Sequence, residues 1–333
     1  GSASLAGNAG IYVDIKGVNT HFDTDAVAGF DQIDSEECYQ KVKDICDEVI
    51  ARKGIDFDLM PAFNKIWGAD NVRNREFVWG IVGNSQSDFT TEHLNYYYTA
   101  PTYYGRGWAG ISEGAYHLYQ GDDERGEQGI FHYVKQAYNT TSAYVRIPND
   151  PVKYPTGPDG IPSRAVNNYY NIYFITKWYM GKGTVDNPEP DISAPGYAYT
   201  PQDIPMIRFV EAYLLRAEAL NELGNPGDAL ADLDVVRGRA KASPLLGLTS
   251  DKVEIRSLVL RERAMEFVQE FNRKFDLLRW GLYLGVMNKT SFVKVQGTGL
   301  TISNVRQPRC LLYAVPLNEI NNNKLFGLNN PGW

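Results

Sequence analysis

The chain has 333 residues, a net charge of −7 and 13% aromatic side chains. A surplus of acid argues against general nucleic-acid binding, which needs a basic face, and no run of about 18 apolar residues offers a membrane-spanning helix. The 31 Gly and 17 Pro predict long, numerous loops.

Residues 1–34 read as a Gly- and Asp-rich loop with no signal-peptide pattern. From Ser35 to Arg52 the apolar positions Cys38, Val42, Ile45, Cys46 and Val49 keep helical spacing, with Asp34 and Ser35 as N-cap candidates and Gly54 as C-cap. The three cysteines, Cys38, Cys46 and Cys310, form no C-x-x-C motif; Cys38 and Cys46 fall on the apolar helix face and read as buried free thiols. A turn at 59–66 and a short strand at 76–82 follow. Trp67 and Trp79 sit in these regular segments and read as core.

Residues 84–204 are irregular, punctuated by Gly and Pro, and hold most of the aromatics. So long a loop-rich stretch is usually functional. The tract NYYYTAPTYYGRGW combines Asn95, Tyr96, Tyr98, Tyr103, Tyr104, Arg106 and Trp108. Aromatic rings cover the apolar faces of sugars while neighbouring polar groups bond the hydroxyl rim. The second tract, NNYYNIYFITKWYMGKG, alternates aromatic with polar residues and reads as a strand or packed turn.

Helical periodicity returns at 205. Pro205 is expected to open a helix carrying Ile207, Val210, Tyr213, Leu214, Ala217 and Leu220, and Gly224-Asn225-Pro226 turns the chain into a second helix to Ala240. AEALNELGNPGDALADL has the pattern of a tetratricopeptide hairpin, in one visible copy.

A third helix is predicted over 251–272. Glu262, Glu266 and Glu270 fall at i, i+4 and i+8 and share a face. Apolar residues cover so much of the remaining circumference that the helix should be buried. Buried like charges repel unless cations lie between them. The pattern therefore predicts a structural Arg–Glu network, with Arg237, Arg239, Arg273 and Arg279 as partners. Glu262 and Glu266 also admit a glycosidase reading, since carboxylates one turn apart can approach the roughly 5–5.5 Å of a retaining pair. It is disfavoured because two acids on one buried helix cannot flank a sugar. Residues 290–333 read as an irregular tail.

The order AEALNELG, DVVRGRA, LRERAMEFVQEFNRKFDLLRWG, AVPLNEI and LNNPGW resembles the C-terminal part of the SusD/RagB family, strongly over 205–333 and more weakly over 35–130 through FDLMPAFNKIW, EFVWGIV and DDERG. The resemblance implies a mainly α fold of tetratricopeptide-like hairpins with a loop-rich second lobe and little β. The chain would be a single unit, 1–333, with 84–204 as the loop lobe and 205–333 as the C-terminal helical region. The family is longer at its N-terminus, where a signal peptide, a lipidated cysteine and the first hairpins lie, so SASLAG at 2–7 is expected to be interior to a longer precursor. The implied function is non-catalytic: binding of an oligosaccharide at the outer-membrane surface and its delivery to a SusC-like TonB-dependent barrel transporter, with membrane attachment only through a lipid anchor. A peptide-binding tetratricopeptide-like scaffold is the alternative. Asp123 and Arg125 match a family element and are expected to be structural. No cofactor is expected, calcium on the oxygens of Asp186, Asn187, Glu189 and Asp191 being a weak alternative. His21, His93, His117 and His132 lack paired spacing, and Asp186, Asn187, Glu189 and Asp191 lack the glycine and spacing of a calcium loop.

Overall fold

The structure is a computed structural model and describes residues 12–15, 18–21, 33–67, 71, 73–83, 110–116, 118–119, 121, 123–135, 144–146, 156, 164–165, 172–178, 182–183, 188–189, 203–289, 292–294, 301–303, 305–323, 325 and 327–333. Its elements in chain order begin with strands β1 (Tyr12–Ile15) and β2 (Val18–His21), helix α1 (Ser35–Ala51) and strand β3 (Phe77–Ile81). Strand β4 (Ile111–Ser112) and helices α2 (Glu113–Tyr116) and α3 (Glu124–Gln128) follow. Short strands come next: β5 (Tyr133–Lys135), β6 (Tyr144–Arg146), β7 (Arg164–Ala165), β8 (Ile172–Tyr173), β9 (Lys182–Gly183) and β10 (Pro188–Glu189). Strand β11 (Ile204–Arg208) leads into helices α4 (Val210–Glu222), α5 (Pro226–Arg239), α6 (Lys252–Glu266), α7 (Arg273–Arg279) and α8 (Tyr283–Lys289). Strands β12 (Phe292–Lys294) and β13 (Thr301–Ser303) and helix α9 (Leu317–Asn322) complete the chain. The fold is mainly helical, and no helix among the described residues is long and apolar enough to cross a membrane.

Two compact units are present, Gln40–Phe271 and a second made of Gly1–Tyr39 with Asn272–Trp333.

The larger unit is organised by the α4–α5 hairpin. Tyr213, Leu214, Ala217 and Leu220 of α4 face Ala229, Leu230, Leu233 and Val236 of α5, and Ile255 and Val259 of α6 close the cluster. Small residues at the crossing let the helix backbones approach. Gly224, at φ +83°, makes the left-handed turn, and Pro226 supplies the preset φ of a first helical residue. Arg216 of α4 grips both carboxylate oxygens of Asp232 on α5 at 2.7 Å and reaches Asp47 of α1 at 2.6 Å. α1 starts where the Asp34 carboxylate accepts from the backbone N–H groups of Glu36 and Glu37, and Gly54 turns left-handed just beyond its end. Cys46 is buried, with burial pushing its thiol up to about 11, whereas Ile45 is exposed, against its expected place on the apolar face.

Three further expectations are corrected. Pro205 lies in β11 rather than opening a helix. The ladder β11 forms with β3 is irregular around Ile207, and α4 begins only at Val210. An edge position with a broken register tolerates the missing proline N–H, and long-range pairing with β3 overrides the local helical pattern. Trp79 is exposed, not core: Phe77 and Val78 pack on two apolar clusters, and Trp79 turns outward at 62% exposure. The third helix ends at Glu266, because Gln269 and Phe271 have left-handed backbone that a continued helix cannot accommodate. Phe271 is consequently exposed.

A second apolar cluster joins Phe63, Ile66, Trp67, Ile111, Ile130, Tyr173, Ile175 and Trp178. Strands β4 and β8 pair here antiparallel, and Tyr116 stacks on Tyr173 at 4.3 Å. The tract around Tyr173–Trp178 is thus a packed strand and turn.

In the smaller unit, β1 pairs with β2 and β12 with β13, both antiparallel. The tail is held by asparagines. Asn288 both accepts from the Arg306 N–H and donates to its carbonyl, and Asn329 does the same for Val315.

Candidate functional site

The residues singled out for chemistry fall in two places: a buried ionic network and the aromatic tract.

The network is assembled around α6. Asp123 caps α3 by accepting from the Arg125 backbone N–H, and its carboxylate takes two further bonds from the Arg125 guanidinium at 2.9 and 2.8 Å. This fork aims Arg125 Nη1 at Glu262, 2.6 Å away, and at Glu266, 3.3 Å away. Arg237 on α5 donates to the other Glu262 oxygen at 2.8 Å. Arg239, two residues on, donates to Glu76 and Glu266. Arg208, the last residue of β11, donates to Glu76, Glu266 and both oxygens of Glu270. Lys177 donates to Glu270 and to the Glu266 carbonyl oxygen. Glu76 also accepts from the Met60 N–H.

Aromatic rings wall the cations in. Lys177 Nζ lies 5.0 Å from the Trp67 ring centroid and 5.3 Å from Phe63, and Arg208 lies 5.0 Å from Phe267. This shell excludes water, so every charge depends on its partners. Burial by itself would raise the Glu266 pKa, but Arg239, Arg208, Arg125 and Lys177 together hold that carboxyl well below the usual range. Burial wins at Lys177, which is pushed down to about 8 despite Glu270.

The structure brings together Glu262, Glu266, Glu270, Arg237 and Arg239. Arg273 and Arg279 belong to the other compact unit, and Arg279 pairs with Asp276 at 3.5 Å. Glu270 reaches the network from the turn after α6, not from the helix stripe. Sequence reasoning missed Arg208, Lys177 and Glu76. Arg208 and Lys177 are each a lone charge in a largely apolar run, MIRFV and FITKW, and Glu76 directly precedes the apolar FVW; a charge embedded that way must find a partner.

Glu262 and Glu266 are 1% and 0% exposed and saturated by guanidinium bonds. Neither oxygen set is open to a sugar, so the pair cannot act as acid and nucleophile. Its chemistry is to lock β3, β11, α3, α5 and α6 in register.

Asn95, Tyr96, Tyr98, Tyr103, Tyr104, Arg106 and Trp108 lie outside the described residues, as do His93, His117 and the side chains of His21 and of Asp186–Asp191. The flanks of the aromatic tract are described and firmly held. Asp203 accepts from the Gly83 N–H at 3.0 Å and from the Arg73 N–H at 2.8 Å, and β4 pairs with β8 on the far side. His132 is buried, with Nε2 3.1 Å from the Gly126 carbonyl. No cluster of three or more His, Cys, Asp or Glu able to hold a metal occurs among the described residues.

Comparison with known proteins assigns this architecture. The SusD family model matches residues 75–333. SusD-like protein P25 of Formosa agariphila is 25% identical over 302 residues, 87% of this chain and 54% of that protein. Starch-binding protein SusD of Bacteroides thetaiotaomicron is 28% identical over 180 residues, 51% of this chain and 28% of that protein. The fold is shared with surface glycan-binding protein A of the same organism, solved with laminarihexaose (TM-score 0.61, 17% identity, 89% of this chain and 60% of that one). The chain spans about half the length of the first relative and still less of the second. The described core and the matched residues agree that this chain belongs to the SusD family.

Proposed function

We propose that the chain is the larger part of a non-catalytic cell-surface protein that binds oligosaccharide and passes it to a TonB-dependent barrel transporter. Residues 84–204 supply the ligand lobe, and the ionic network within Gln40–Phe271 braces the helical scaffold of that unit. Trp108 and Tyr104 lead the contact, backed by Tyr96, Tyr98, Tyr103, Asn95 and Arg106. Attachment to the outer membrane comes from a lipid anchor in the intact precursor.

The observation that carries the reading is the coincidence of an aromatic, Gly-rich tract with a family some of whose matched members are named for starch and glycan binding. Both ends of the tract are anchored in buried structure, which lowers the ordering cost of a loop site. A shallow aromatic patch with few hydrogen bonds gives weak affinity, so avidity or high local glycan concentration would matter.

Glycan-array binding by wild type and Trp108→Ala tests this. Selective oligosaccharide binding that Trp108→Ala abolishes supports the assignment. Tight peptide binding with no glycan binding would favour the tetratricopeptide-like scaffold instead.

A further inference from the structure

Among the described residues the buried network balances electrically. Its five carboxylates, Glu76, Asp123, Glu262, Glu266 and Glu270, meet five cations, Arg125, Lys177, Arg208, Arg237 and Arg239. Arg261, adjacent to Glu262 on α6, adds a positive charge at the rim of this balanced set. Among the described residues it makes a single hydrogen bond, from Nη2 to the Leu118 carbonyl oxygen at 3.1 Å, and no ion pair. Its Nε is buried with no acceptor.

Arg261 lines a cleft of about 190 Å³ with Arg237, Ser243, Leu245, Leu248 and Leu258. A hollow of about 70 Å³ shares Arg261, Arg237 and Ser243 with it and reaches Asp123. The two carboxylates bordering these spaces, Glu262 and Asp123, are already held by Arg125 and Arg237. One guanidinium without an acidic partner among the described residues therefore lines a space that it shares with three leucines.

We propose that this cleft binds a small monocarboxylate, its carboxylate on the Arg261 guanidinium and its body against Leu245, Leu248 and Leu258. A planar guanidinium matches a carboxylate in two-point contact. A single surplus charge suits a monoanion, whereas a phosphate carrying about −1.5 to −2 would leave excess negative charge beside Glu262 and Asp123. The leucine wall favours an anion with a C–H surface over a bare inorganic ion. A free short-chain acid and the uronate unit of an acidic glycan share this chemistry.

The test is NMR titration of the arginine Nε–H resonances with isobutyrate, glucuronate and inorganic phosphate at constant ionic strength. Saturable binding of isobutyrate or glucuronate that shifts Arg261 is expected, with at least tenfold weakening in Arg261→Gln. Leu248 is exposed, so Leu248→Asp keeps the fold while setting a repelling charge at the rim, and it should weaken binding similarly. Tighter glucuronate identifies the sugar source and tighter isobutyrate the free acid. The proposal is overturned if neither carboxylate saturates, if phosphate binds as tightly, or if both variants bind like wild type. Should Arg261→Gln fail to fold, Leu248→Asp decides. None of these failures touches the aromatic tract, whose reading rests on neutral sugar contacts.

Discussion

Arg125 Nη1 stands 2.6 Å from Glu262 Oε1, although 137 residues separate them in the chain. Both side chains are sealed from solvent, at 0% and 1% exposure. A pair of this kind is neutral in its net stability effect when whole, but costly when one partner is removed, because the survivor stays buried and uncompensated. That asymmetry makes the network a device for register, and it dictates the first expectation.

Glu262→Gln keeps the volume and removes the charge that Arg125 and Arg237 share. It should lower the unfolding free energy by about 3–5 kcal/mol, read from urea denaturation midpoints at unchanged slope. Wild-type stability in this variant would remove the structural role assigned to Glu262.

The depressed pKa of Glu266 sets the acid limb. Its carboxyl is ionised in the fold well below the ordinary value of 4.5. The unfolded chain therefore binds more protons as pH drops past that value, and the stabilisation present above it drains away. The stability gap between wild type and Glu266→Gln should shrink steadily between about pH 6 and about pH 3. A gap that stayed constant would mean Glu266 titrates normally in the fold.

Lys177 acts with the opposite sign. Its folded pKa of about 8 lies below the ordinary 10.5. The charged form is penalised in the fold, fully so below pH 8, and the penalty is relieved as pH rises from 8 toward 10.5. Relative to Lys177→Met, wild type should gain on the order of 3 kcal/mol across that window. Measuring the difference between the two proteins cancels the alkaline titration of the tyrosines. No gain, or a loss, would show that Glu270 keeps Lys177 charged throughout.

Gly129 ends α3, the helix that carries Arg125, in a place with no room for a side chain. An added Cβ would sit 2.3 Å from the Arg125 carbonyl oxygen and 3.0 Å from the Phe63 ring. Gly129→Ala should therefore cost about 1–3 kcal/mol through overpacking and should be strongly non-additive with Arg125→Met in a double-mutant cycle. Additive effects would place the strain elsewhere.

Much of the helical scaffold was legible locally. The α4–α5 hairpin follows from apolar residues at three- and four-residue spacing, with Gly224 and Pro226 marking the turn, and α1 follows from the Asp34 cap. The need for cations beside Glu262 and Glu266 was legible too, since buried carboxylates in one helical row demand them. Arg237 and Arg239, at the end of the preceding helix α5, supply part of that charge. The others were not readable. Arg208 and Lys177 come from β11 and from the turn after β8, and only folding brings these to α6. Helical periodicity through Pro205 and Ile207 concealed β11, whose strand character comes from pairing with β3, more than a hundred residues earlier.

The amino-acid sequence by itself determined α1, the α4–α5 hairpin and the presence of α6, the family pattern and the aromatic composition of the loop tract, because spacing, capping and ring content are local properties. Tertiary structure alone decided where α6 stops, that Glu270 meets Arg208 and Lys177 from a turn, that Trp79 faces solvent, and that Arg261 remains the cation outside a balanced set. These depend on which distant charges share one water-free space, where the strength of an ion pair is set by geometry and burial and not by position along the chain.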